Sequence, residues 1–268
     1  MAPTAPPETD PVRVRHRDLE QIALIALRCA RLLMQSGSSG RVIHQCGALL
    51  ARSQGVELLG LRVGYASTSI TLGRDGNSIT RMVTVAGHGV NHRLDQAVRA
   101  LVREAARTGM APADIGARLD ALVADTPRYP GWVVAIAVGV ACAAFAGLLG
   151  ADARAMLATL LASGIGQAVR QTMHRRGNNV FVIVAAVALL SALLGGLGAR
   201  LAGSGTVDLA LFGATLLLVP GVPATNAQVD IMDGFPTLGS ARAVSVLMVM
   251  VFVAIGIWLA QIVLGMQT

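Results

Sequence analysis

From Asp18 to Gln35 the apolar residues share the chain with Gln21, Arg28, Arg31 and Gln35, which recur at helical spacing and make one polar face. That pattern predicts an amphipathic helix with one side on a core. A breaker, Ser36-Gly37-Ser38-Ser39-Gly40, separates it from a second helix in which Val42, Ile43, Cys46, Leu49 and Leu50 fall on one face and should pack against the first. Val56 to Leu72 then brings β-favouring residues, Gly73 to Asn77 is a turn cluster, and Ile79 to Val85 alternates, which predicts a hairpin or small sheet. Helical periodicity returns with Leu94, Val98, Leu101, Val102 and Ala105, stops at Gly109, and resumes with Ile115, Leu119, Leu122 and Val123. The order ααβββαα predicts an α+β domain over residues 18–126.

Past Tyr129-Pro130 the pattern changes. Residues 131–150 carry no charge, and ~20 residues at 1.5 Å each reach about 30 Å, the thickness of a hydrocarbon core. Further apolar stretches at 155–170, 180–200, 207–227 and 243–266 predict a five-helix transmembrane domain over 127–268. The fold class expected is therefore an α-helical multi-span membrane protein with an N-terminal cytosolic α+β domain. Orientation follows from arginine bias in the short loops. Arg170, Arg175 and Arg176 follow the second span, whereas the turns after the first and third hold Arg154 and Arg200, offset by Asp152 and Asp208. Five crossings then place the N-terminal domain in the cytoplasm and the C-terminus outside.

Composition agrees with this division. Hydrophobic residues make up 54% of the chain but aromatics only 3%, so small residues carry the apolarity, as suits helices that pack closely in lipid. The formal net charge of +7 comes from arginine, since no lysine occurs. Nucleic acid is disfavoured as a partner: Asp and Glu are interspersed with the arginines, no basic stripe forms, and Tyr65 and Tyr129 are the only tyrosines. Cys29, Cys46 and Cys142 form no CxxC and no disulfide framework. Residues 1–17, Pro-rich and without an apolar h-region, read as a disordered tail and not as a cleaved signal peptide.

Chemistry concentrates between Leu216 and Gly234. Pro220 and Pro223 cannot donate backbone hydrogen bonds and Gly221 frees the chain between them, so the fourth span must open there. In lipid such an opening survives only where protein buries it or where it lines a wet cavity, and transporters use freed backbone groups at such breaks to hold a solute or ion. Thr225, Asn226, Asp230 and Asp233 put polar groups beside the break, and Arg242 lies just beyond it. The candidate substrate- or ion-binding set is thus Pro220, Gly221, Pro223, Thr225, Asn226, Asp230, Asp233 and Arg242. The competing reading is that both aspartates sit at the cytoplasmic interface and merely end the helix. Arginines can pair with a substrate carboxylate, and Arg170 and Arg242 are the candidates. Ser163, Gly164, Gly166 and Gln167 make a close-packing face or a cavity wall, packing being preferred. His88 and His92 lie four apart but between glycines and without a third ligand, so no metal is expected. There is no GxSxG, P-loop, HExxH or GxGxxG, which argues against an enzyme and against a bound cofactor.

Two runs carry a resemblance. Arg128-Tyr129-Pro130 followed by Trp132, and Leu216-Leu217-Leu218-Val219-Pro220-Gly221-Val222-Pro223 with Asn226, Ala227, Asp230, Gly234, Gly239 and Arg242, make the chain similar to the threonine/serine exporter (ThrE) family, and within it to the YjjP-like proteins, from about Leu19 to the end. The resemblance implies an inner-membrane exporter subunit for a small carboxylate-bearing metabolite, threonine/serine or a dicarboxylate such as succinate, coupled to a proton gradient. With five spans where larger members carry about ten, it also implies a split transporter, a hetero-oligomer with a smaller YjjB-like membrane subunit, and leaves a homo-oligomer open. One departure is visible: where relatives commonly read Gly-Ala-Glu, this chain has Gly37-Ser38-Ser39, so no role of that glutamate transfers. The alternative function is a membrane-anchored ligand-sensing or regulatory protein whose N-terminal domain carries the activity.

Overall fold

The computed structural model describes residues 11–126 and 129–266 of the chain. These form two compact units: Met1–Pro127 together with Val222–Ala243, and Arg128–Gly221 together with Val244–Thr268.

In the first unit, helices α1 (Pro11–Gln35) and α2 (Gly40–Ser53) precede strands β1 (Glu57–Val63), β2 (Ser67–Arg74) and β3 (Asn77–Thr84), and α3 (His92–Thr108) and α4 (Pro112–Asp125) follow. The strands form an antiparallel sheet in the order β1-β2-β3, with Thr71 opposite Thr80 and a register shift between Leu58 and Gly60. One face of β2 is apolar, and Ile70 and Leu72 join Leu19, Leu27 and Leu33 of α1, Val98 and Val102 of α3, and Ile115 and Leu119 of α4 in one buried core. Local chemistry fixes the ends. Asn91 caps α3 by accepting from the Leu94 amide at 3.1 Å, Gly109 closes it in the left-handed region at φ 63°, and Pro112 opens α4, where a missing N–H costs nothing. Residues 1–10 of the expected tail lie outside the described residues, and α1 already begins at Pro11.

The second unit holds α5 (Gly131–Leu148), α6 (Ala153–Arg175), α7 (Val180–Leu201), α8 (Val207–Thr215) and a 3₁₀ turn, Leu216–Leu218. Among the described residues, three helices are long and apolar enough to cross a membrane: α5, α7 and α10 (Pro236–Val263). A fourth crossing is counted if the pair Val207–Leu218 and α9 (Gly221–Met232), bent at its break, forms one span. The chain is therefore a helical membrane protein with three or four candidate spans among the described residues, on length and composition. The remaining stretch expected from the sequence, 155–170, corresponds to α6, which is long enough at 23 residues but carries Gln167, Arg170, Gln171 and His174 on its C-terminal half.

Small residues set the packing of this unit. A Cβ on Gly139 would stand 2.7 Å from the Leu160 carbonyl oxygen, one on Gly195 2.7 Å from that of Ala210, and one on Gly256 2.8 Å from that of Ala185. Backbone cannot retreat as a flexible side chain can, so these helices approach as closely as a missing side chain allows. Gly195→Val is expected to cost about 1–3 kcal/mol by overpacking, read as a lower melting temperature in detergent, whereas the same change at Gly221, with nothing within 4 Å of its Cβ position, should be tolerated sterically. The loop between α5 and α6 is pinned by Asp152, whose carboxylate accepts from the Ala155 amide at 2.8 Å, the Ser204 hydroxyl at 2.7 Å and the Gly205 amide at 2.9 Å. Those donors hold its carboxyl well below the usual carboxylate range.

At the expected opening, the chain leaves α8 through the 3₁₀ turn, passes Val219 and Pro220, and restarts as α9. Pro223 sits in the first turn of α9, where proline is tolerated. Residues 222–243, which hydropathy groups with the membrane half, belong to the first unit, because their polar side chains find their partners on the turn between α1 and α2.

Candidate functional site

The turn between α1 and α2 is built almost wholly from serine and glycine. Ser36 turns its hydroxyl back onto the Leu32 carbonyl at 2.7 Å, and α1 ends as the Gly37 and Ser38 amides bond the Met34 and Leu33 carbonyls at 3.3 and 3.0 Å. Gly37 follows at φ 94°, and a Cβ there would meet the Gly89 carbonyl oxygen at 3.0 Å. The buried Ser38 hydroxyl donates to Asp95 of α3, which also pairs with Arg99 at 2.7 Å. This geometry leaves three backbone groups of the turn without partners in the helices beside it: the carbonyls of Gly37 and Ser38 and the first amide of α2, that of Gly40.

All three are taken by side chains from α9 and the start of α10. Asn226 Nδ2 donates to the Gly37 oxygen at 2.7 Å, Arg242 Nη2 donates to the Ser38 oxygen at 2.8 Å, and Asp230 Oδ1 accepts from Gly40 N–H at 2.7 Å. The second oxygen of Asp230 accepts from Arg242 Nη1 at 2.5 Å, and Arg242 Nη2 lies 3.1 Å from the Met34 sulfur. Asp230 is fully buried and Arg242 only 4% exposed. Asp233 pairs with Arg41 at a more open position. A carboxylate at the first amide of a helix is favoured by the unsatisfied N–H groups and the helix dipole, so Asp230 sits where α2 attracts an anion.

Two features of the chain bring Asp230 and Arg242 together although twelve positions separate them. Gly234 at φ 86° turns the chain between α9 and α10, with the Phe235 amide donating to the Asp230 carbonyl at 2.7 Å. Gly239 lets the two helices close, since a Cβ there would stand 2.7 Å from the Ala227 oxygen and 3.0 Å from the Ile231 amide nitrogen. Leu238 and Phe235 then pack into the core of the first unit, and Phe235 lies 6.1 Å from the His44 ring.

Of the residues expected at the site, Asn226, Asp230, Asp233 and Arg242 gather on this turn. Pro220 and Gly221 form the break itself, and Pro223 and Thr225 are exposed on the first turn of α9. The guanidinium of Arg242 is occupied by Asp230, Ser38 and Met34, which leaves it poorly placed to receive a substrate carboxylate. Sequence patterning missed the other half of the cluster, Gly37, Ser38, Gly40 and Arg41, by treating the serine-glycine run as a helix breaker alone. Among the described residues no group of three His, Cys, Asp or Glu side chains could hold a metal; His88 instead stacks on Tyr65 with ring centroids 4.0 Å apart.

Comparison with known proteins bears on what such an arrangement serves. The chain is 25% identical over 247 residues to the protein named "Probable succinate transporter subunit YjjP" of Klebsiella aerogenes, covering 92% of this chain and 95% of that one. It is 24% identical to the protein of the same name from Escherichia coli strain K12, covering 92% and 96%. No solved structure matches. The family model described as "Putative threonine/serine exporter" matches residues 24–264, most of the chain, so it belongs to the threonine/serine exporter (ThrE) family.

Proposed function

We propose that this chain is the exporter subunit of a bacterial inner-membrane transporter for a small carboxylate-bearing metabolite, threonine/serine or a dicarboxylate such as succinate. In this reading α5 to α10 make five crossings, with α6 as one and the α8–α9 pair as another, the N-terminal unit lies in the cytoplasm, and a second, smaller YjjB-like membrane subunit completes the pathway. The observation that carries it is the buried Asp230–Arg242 pair, both of whose members bond the backbone of the α1–α2 turn. A structural helix end needs neither a buried carboxylate nor a buried guanidinium, and such a pair is a poor means of gaining stability. It is a good means of making two states.

Protonation of Asp230 would cancel the charge that balances Arg242 and weaken the bond to Gly40. Asn226, Arg242 and the outer Arg41–Asp233 pair would then hold the turn without the buried charge pair, and α9, one arm of the broken helix, would be held less tightly. Coupling export to a proton gradient needs a group of this kind, whose charge biases a bistable element. Metabolite profiling of the medium tests the export reading: cells expressing this chain with its partner should accumulate one small carboxylate outside relative to cells lacking the pair. An unchanged medium under induction would count against it.

A second reading, in which the N-terminal unit senses a ligand and the membrane half anchors it, draws on the grouping of α9 with that unit. Deleting residues 1–126 separates the two. Loss of export with normal membrane insertion supports a gating role for the contact, and retained but unregulated export supports a sensor.

A further inference from the structure

Within the second unit, the first residue of α5 and the C-terminal half of α6 are held at one level, since Gln171 Nε2 donates to the Gly131 oxygen at 3.1 Å. Further along the same pair, a Cβ on Gly139 would stand 2.7 Å from the Leu160 oxygen and 3.6 Å from the Gly164 backbone. The two helices therefore run antiparallel and touch at Gly139, and an open groove of about 470 Å³ lies between them at the Gly131 end. Because α5 is long and apolar enough to cross a membrane, its first turn marks the boundary between hydrocarbon and water. Two aromatic side chains agree with that level. Tyr129, which lines the groove, and Trp132 are each 68% exposed, and such rings settle among lipid headgroups.

What the groove offers at that level is positive charge without a counterion. Arg170 and Arg175 line it from α6, and no Asp or Glu is among its described lining residues. Arg170 Nη1 donates to the Leu217 oxygen at 3.2 Å. A guanidinium has five N–H donors, so this bond orients Arg170 without using it up. The two arginines are five positions apart, about 7.5 Å along the helix, so two long side chains reach one oxyanion. Arginine bias at a cytoplasmic loop needs neither the brace nor the groove; Arg176, the next residue, is exposed and does not line it. On the α5 wall the surface turns apolar away from the arginines. Val134 lines the groove, and Val138, Ala141 and Phe145 continue its face at helical spacing, half-buried or exposed.

We propose that this groove holds the phosphate of an anionic phospholipid, clasped by Arg170 and Arg175, with an acyl chain laid along Val134 to Phe145. Basic pockets between membrane helices recognise such headgroups through charge and the fork geometry of arginine. A choline or ethanolamine ammonium would bring a further cation to a groove that already holds two, so phosphatidylglycerol is favoured over zwitterionic lipids. The inference goes beyond the export reading and gives Arg170 to the bilayer, while Asp230 and Arg242 serve the gate.

Native mass spectrometry of the purified full chain in detergent, titrated with phosphatidylglycerol or phosphatidylcholine, tests it. Phosphatidylglycerol should be retained saturably and about tenfold more tightly than phosphatidylcholine. Arg175→Gln should weaken its binding about tenfold, the factor expected for a lost charged hydrogen bond, and Arg170→Gln by at least as much. Arg175 is exposed, so its variant reads binding even where loss of the Leu217 brace lowers the melting temperature of Arg170→Gln. Arg176→Gln, which removes the same charge outside the groove, should bind as the wild type does. Equal weakening by Arg176→Gln would reduce the effect to bulk surface charge and overturn the proposal, as would equal affinity for the two lipids. Displacement of the lipid by an equal concentration of glycerol 3-phosphate would also overturn it, by assigning the groove to a soluble phosphate.

Discussion

Replacing Arg242 by alanine should destabilise the first unit by about 3–5 kcal/mol, the range for removing one member of a buried ion pair. Asp230, with no exposed surface, would be left as a charge with only the Gly40 amide against it, and the Ser38 carbonyl would lose its donor. An intramembrane location would not soften this, since lipid solvates neither group. The expected readout is a chain that inserts but accumulates poorly and unfolds at markedly lower temperature in detergent. Arg41→Ala, which breaks the outer pair with Asp233, should by contrast cost no more than ~1 kcal/mol, because the Arg41 side chain is 58% exposed and water replaces its partner.

The double replacement Asp230→Asn with Arg242→Gln should separate stability from function. Both charges leave together, so the desolvation cost that the pair carries goes with them, and amide side chains can still accept from Gly40 and donate to Ser38. Most of the stability lost in Arg242→Ala should return, to within ~1–2 kcal/mol of wild type, since neutral replacements of buried pairs are often near-neutral. Export should not return: a pair that cannot take up a proton has no charge state with which to bias the broken helix, and efflux at equal abundance should fall to less than about a tenth of wild type, the factor that corresponds to 1.4 kcal/mol. A double variant that exports normally would mean that the pair only holds the fold.

Much of this was legible in the chain. The polar face of Gln21, Arg28, Arg31 and Gln35, the strand alternation around Ile79 and the periodicity from Leu94 to Ala105 correspond to α1, β3 and α3, because local pattern and core burial point the same way in each. The opening at Val219-Pro220 was equally readable, since two prolines and a glycine leave the backbone no helical alternative. What patterning could not supply was the destination of the polar groups past the break. Asp230 and Arg242 lie about 190 and 204 positions from the backbone groups they bond, Gly40 and Ser38, and no local period carries information across such a separation. Hydropathy also weighs residues 222–243 by composition, which groups them with the apolar half. Their hydrogen bonds go to the N-terminal turn. In α6 the sequence reads Gln167 as part of a packing face or cavity wall and Arg170 as a candidate partner for a carboxylate, whereas the groove they share with the start of α5 becomes visible only in the fold.

The most direct measurement of the central claim is efflux from proteoliposomes holding this chain and its partner, loaded with labelled L-threonine or succinate, with and without an imposed pH gradient. Wild type should release one of the two faster when the gradient is applied, and the Asp230→Asn, Arg242→Gln double variant, folded and incorporated to the same level, should release it at the rate of empty liposomes under either condition. Equal, gradient-driven release by wild type and the double variant would contradict the account.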